Sequence, residues 1–132
     1  MSEARNKPIK DFRDLLVWQK AHELSIKIYQ LSSSFPQSEL YALSSQIKRA
    51  AVSVSSNIAE GFGRYSLKEK DQFLSIAHGS LYEVESQIEL AKDLLYLKDN
   101  EYEETLDLII EAHKLLYGLQ KANKKKGDGV DV

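Results

Sequence analysis

Residues 40–64 read LYALSSQIKRAAVSVSSNIAEGFGR, and this stretch decides the fold. Leu40, Leu43, Ile47, Ala50, Val54, Ile58 and Gly61 recur at steps of three and four, the period of one helix face. No proline interrupts them, and Gly61-Phe62-Gly63 closes the run, because glycine accepts the left-handed backbone that a helix end requires. The spacing predicts a helix from about Gln37 to Phe62. On its N-terminal side, Val17, Ala21, Leu24, Ile28, Leu31 and Phe35 mark a first helix from about Asp14 to Ser33, broken by Ser33-Ser34-Phe35-Pro36. On its C-terminal side, Ser66-Leu67-Lys68-Glu69 has the spacing of a capping box. It opens a third helix with the seam Phe73, Ala77, Leu81, Val84, Ile88, Ala91 and Leu95. A fourth helix, from Asp99 or Asn100, repeats Tyr102, Leu106, Ile109, His113, Leu116 and Leu119. Four amphipathic helices with short links predict an all-α, antiparallel up-down-up-down four-helix bundle. The expected organisation is a single domain over 1–132, with flexible ends at about 1–10 and 124–132, where the chain is polar and loses its period.

Composition bounds the function. A chain of 132 residues, 42% hydrophobic and 29% charged, is sized and balanced for one globular domain. It has no cysteine, which excludes disulfides, thiolate nucleophiles and thiolate-ligated metals. No apolar run is long enough to span a membrane and no hydrophobic signal core is present, so a cytoplasmic location and no membrane partner are expected. A formal net charge of −2 excludes a uniformly basic nucleic-acid binder but leaves room for a local basic patch.

The second helix carries a further stripe, Gln46, Arg49, Ser53, Asn57, Glu60 and Arg64, about 100° from the apolar one. Ile76, Ser80, Glu83 and Gln87 form its counterpart on the third helix. A hairpin turning near Ser66 pairs residues equidistant from the turn: Gln46 with Gln87, Arg49 with Glu83, and Ser53 with Ser80. The expected result is a polar interhelical seam of Gln46, Arg49, Ser53, Asn57, Glu60, Ser80, Glu83 and Gln87, with Arg49 and Glu83 as its ion pair. Such a seam would fix register, because a misaligned pairing strands a charge. A solvated face is the plainer alternative, and a ligand-binding stripe a third.

The chemistry of a catalytic site is missing. Paired-metal bundles use Glu-x-x-His, yet Gln19, Ser75 and Ile110 stand three residues before His22, His78 and His113. No arginine is followed four to six residues later by a histidine, and Gly61-Phe62-Gly63 lacks the rest of a phosphate-binding loop. His113 reads as a packed histidine bonded to its neighbours, and Trp18 as a core or subunit-contact residue. No catalytic residue, cofactor site or metal site is predicted, and the chain is not expected to be an enzyme.

Several motifs carry a resemblance. Asp14-Leu15-x-Val17-Trp18-Gln19-Lys20-Ala21 opens the first helix, and Phe35-Pro36-x-x-Glu39 follows it. Gln46-Ile47-x-Arg49-Ala50-x-x-Ser53, Asn57-Ile58-Ala59-Glu60-Gly61-Phe62-Gly63-Arg64 and Phe73-Leu74-x-Ile76-Ala77-x-Gly79-Ser80 come next. Together they resemble the bacterial four-helix-bundle family encoded in intervening sequences of 23S ribosomal RNA genes, to which accessory proteins of diversity-generating retroelements are distantly related. The match runs from about Phe12 to Leu97, and the fourth helix agrees only in character. The resemblance implies a homo-oligomeric ring, with a pentamer as the expected form. Trp18, Tyr29 and Tyr82, lying outside the apolar seams, fit such self-association.

Two functions compete. One is a non-enzymatic, homo-oligomeric scaffold or interaction protein. The other is a nucleic-acid-binding accessory that contacts structured RNA or DNA through a basic rim. In the expected topology one pole gathers Arg13, Arg64, Lys68, Lys70, Lys121, Lys124, Lys125 and Lys126, the candidate nucleic-acid contacts. The other pole collects Glu39, Asp93, Asp99, Glu101, Glu103, Glu104 and Asp107. Part of this polarity only complements the helix dipoles.

Overall fold

The first helix begins two residues later than its periodicity suggests, because a capped turn precedes it. In a computed structural model, which describes residues 8–127, Phe12–Asp14 forms a 3₁₀ turn. The Asp11 carboxylate accepts from the Arg13 N–H at 2.7 Å, and Asp14 accepts from the N–H groups of Lys10 and Asp11 at 2.8 and 3.1 Å. Helix α1 then runs Leu16–Ser32. Helices α2 (Leu43–Phe62), α3 (Leu67–Asp93) and α4 (Asp99–Gly127) follow, with a second 3₁₀ turn at Gln37–Glu39 between α1 and α2.

The second helix starts six residues later than expected. Pro36 holds an extended backbone, the 3₁₀ turn follows it, and Ala42 sits at φ −121°, ψ −106°, outside the helical region. Leu40 consequently leaves the core and is exposed, and Tyr41 projects into solvent at 92% exposure. Helix α3 opens as its sequence indicates, with the Ser66 hydroxyl accepting from the Glu69 N–H at 3.1 Å. It closes early. The Leu95 N–H donates to the Lys92 carbonyl at 3.0 Å and the Tyr96 N–H to the Ala91 carbonyl at 2.9 Å, a Schellman turn. This turn holds Leu95 at φ 65° and leaves it 87% exposed, so Leu95 is not a core residue. The flexible ends expected at about 1–10 and 124–132 lie mostly outside the described residues. Residues 124–127 are the last turn of α4.

Each helix packs against two neighbours: α1 on α2, α2 on α3, α3 on α4 and α4 on α1. Among the described residues no close backbone approach crosses the diagonals, so α1 stands opposite α3 and α2 opposite α4. The pairings run antiparallel. Lys20 meets Glu111 at 3.8 Å and Lys27 meets Glu104 at 2.6 Å, so numbers fall along α4 as they rise along α1. His78 with Gln120 and His113 with Glu85 give the same sense for α3 and α4. Leu24, Ile28, Ile47, Val54, Ile58, Leu81, Val84, Ile88, Ile109 and Leu116 are fully buried along the axis. Helices α2 and α3 approach closely at Gly61, where an added Cβ would lie 3.2 Å from the Phe73 Cβ and 3.3 Å from the Lys70 carbonyl.

Candidate functional site

The polar seam forms in part. The Ser53 and Ser80 hydroxyls lie 2.8 Å apart across α2 and α3. Asn57 Nδ2 donates to the Ser53 hydroxyl at 3.0 Å and to the Ser53 carbonyl at 2.8 Å. This half-buried group sits at the level the hairpin arithmetic indicates. The rest of the ladder does not close. No ion pair joins Arg49 to Glu83, and both are exposed. Gln46 makes no bond to Gln87, whose Oε1 is buried without a partner. Glu60 turns along its own helix to Arg64 at 2.9 Å. The cause is rotational. Four residues carry a helix about 40° past a full turn and three stop about 60° short of one. Arg49, four before Ser53, and Glu83, three after Ser80, are therefore both swung outward.

The outer side of α2 is nearly uncharged. Lys48, Arg49 and Glu60 are the only charged residues in the helix. A groove of about 730 Å³ opens over its first half, lined by Tyr29 of α1, Leu40, Tyr41, Ser45, Lys48, Arg49, Val52 and Ser53. Tyr29 is half-exposed, with the Lys48 ammonium 5.3 Å from its ring centre.

At the pole where the N-terminal segment, the α2–α3 turn and the end of α4 meet, several candidate nucleic-acid contacts are already engaged. Arg13 lies 3.6 Å from Asp11, Arg64 bonds Glu60, and the Lys70 ammonium donates to the Phe62 carbonyl at 2.9 Å, capping α2. Lys68, Lys121 and Lys124 line one cleft of about 740 Å³ between the start of α3 and the end of α4. Lys126 lines a second, smaller one beside Lys70. Lys68, Lys121, Lys124, Lys125 and Lys126 are exposed and form no ion pair among the described residues.

With the fold and these surfaces in view, comparison with known proteins is decisive. The sequence matches the 23S rRNA-intervening sequence protein family over residues 13–118, most of its length. The chain belongs to that family. A solved member of the S23 ribosomal protein family from Bacteroides thetaiotaomicron, a protein of unknown function, is similar to it. The two share 27% identity over 80% of this chain and 99% of that one, with a TM-score of 0.75. No curated protein matches. Among the described residues of this 23S rRNA-intervening sequence protein, no helix is long and apolar enough to cross a membrane.

One cluster was missed by sequence reasoning. His78 of α3 is buried, with Nδ1 3.0 Å from Gln120 Oε1, while the Gln120 amide donates to Asp71 and Ser75 at 3.2 Å each. Because a carboxylate only accepts, Gln120 Oε1 must face His78, whose Nδ1 therefore carries the proton. His113 bonds Glu85 at 3.1 Å and its ring centre lies 5.0 Å from that of His78. The Tyr82 and Tyr117 hydroxyls meet at 3.2 Å on the outer edge. Burial holds the His78 pKa below its ordinary value. The Gln120 bond opposes this and the neighbouring His113 reinforces it. The available signal was the repeated His-x-x-x-Tyr, at His78–Tyr82 and His113–Tyr117, which stacks both rings of each pair on one helix face. Trp18 is partly buried against the core, stacked on His22 at 4.6 Å.

Proposed function

We propose that this family member is a non-enzymatic, homo-oligomeric interaction protein of the cytoplasm, its bundles assembling into a ring for which five subunits is the expected number. The supporting observation is the exposed apolar and aromatic surface around Tyr29, Leu40, Tyr41 and Val52, more than an isolated bundle of this size needs to leave in water. The test is light scattering on the purified full chain at micromolar concentration. A multiple of the monomer mass is expected, and a monomer refutes the reading.

A second reading is favoured by the cleft lined by Lys68, Lys121 and Lys124, three lysines against the single carboxylate of Asp71. In a ring of parallel subunits these poles would add into one basic rim able to hold phosphates of structured RNA or DNA. Filter binding of a structured RNA at two salt concentrations should then show retention that falls steeply with salt. Replacing Lys124, Lys125 and Lys126 with alanine should weaken it without loss of helicity. No retention at low salt, or the same retention in the triple variant, leaves the interaction role alone.

A further inference from the structure

We propose that the outer face of α2 around Arg49 receives the outer stripe of α3 from a second copy of the chain, with Arg49 paired to Glu83 of the partner subunit. The proposal rests on the oligomeric reading above and names the surfaces that meet.

The two faces complement one another. On α2, Arg49 is an exposed charge in a groove that Tyr29, Tyr41 and Val52 line, with Lys48 over the Tyr29 ring. On α3, Glu83 lies between Ile76 and Leu90, each seven residues away and about half-exposed, so the three share one side of the helix. Among the described residues neither charge has an ion-pair partner. A positive charge in an apolar groove and a negative charge in an apolar stripe describe one contact cut in half.

Gly79 points the same way. It lies in the interior of α3, exposed, between Ile76 and Glu83, where glycine weakens a helix. An added Cβ would meet nothing within 4 Å, so no contact among the described residues calls for glycine there. Close approach by another helix does call for it.

The experiment compares the association of the full chain by sedimentation equilibrium for wild type, Arg49→Glu, Glu83→Arg and the double exchange, with circular dichroism as a check on folding. Each single reversal should weaken association at least about 30-fold, and the double should recover to within about tenfold of wild type. Gly79→Ala should also loosen the assembly while leaving helicity intact. Single variants that associate like wild type, a double variant no better than the singles, or unchanged association in Gly79→Ala would each overturn the proposal and leave oligomerisation itself standing. A monomeric wild type would instead remove the reading beneath it. Loss of RNA retention in Arg49→Glu at unchanged mass would assign the groove to nucleic acid and overturn the proposal too.

Discussion

Gly61→Ala should destabilise the bundle although alanine is the better helix former. Two effects compete. Alanine in a helix gains about 0.5–1 kcal/mol over glycine. Against that, the new methyl would sit 3.2 Å from the Phe73 Cβ and 3.3 Å from the Lys70 carbonyl, tighter than ordinary van der Waals contact. Neither neighbour can swing aside, because one is main chain and the other is the root of a side chain on the same helix. Forcing a methylene-sized group into such a site costs about 1–3 kcal/mol. The net loss is about 0.5–2 kcal/mol, a fall in Tm of about 2–10 °C for a chain of this size. Gly118→Ala is the matched control. It lies within α4, exposed, with nothing within 4 Å of an added Cβ, so only the helix gain of about 0.5–1 kcal/mol remains. Urea and thermal unfolding followed by far-ultraviolet circular dichroism, at one fixed protein concentration, separate the two variants. A Gly61→Ala protein as stable as wild type would refute the argument that α2 and α3 are held apart by less than a methyl group.

Two further outcomes follow from particular residues. Because the folded-state pKa of His78 is lowered by burial, the unfolded chain binds the extra proton more readily. Its contribution is complete above about pH 6.5 and is lost as pH falls below that value, by at most about 1.4 kcal/mol per pH unit. Urea midpoints of wild type should therefore drop between neutral and mildly acidic pH more steeply than those of His78→Gln, and identical slopes would contradict the assignment. Leu95→Gly should stabilise the fold by about 0.5–1 kcal/mol, since a left-handed leucine costs about 1–2 kcal/mol and glycine's freedom in the unfolded chain returns only part of that. A lower Tm in that variant would show that the exposed leucine contributes more than its backbone costs.

Much of the architecture was legible in the residues because its causes are local. A period of 3.6 places Val17, Ala21, Leu24, Ile28 and Leu31 on one side of a helix whatever surrounds it, and all five are buried. A serine three residues before a glutamate caps a helix through its own neighbours, as Ser66 does. Hairpin arithmetic sets the axial level of facing residues, which is why Ser53 and Ser80 meet.

Rotation about the helix axis is another matter. Small residues along α2 allow a close crossing on α3 at Gly61 and Ser53, and that crossing turns Arg49 and Glu83 outward, so level was predictable from number and partner was not. The path through Pro36 to Ala42, which delays α2 and exposes Leu40 and Tyr41, answers to a tertiary bond: the Tyr96 hydroxyl holds Glu39 at 2.7 Å from the far end of α3. The His78–His113 pair, likewise, exists only once α3 and α4 lie side by side. Sequence alone determined which faces are apolar and where helices can begin and end, since those depend on residues a turn apart. Only the packed bundle decided which polar side chains find partners, because that depends on how two helices are turned toward each other.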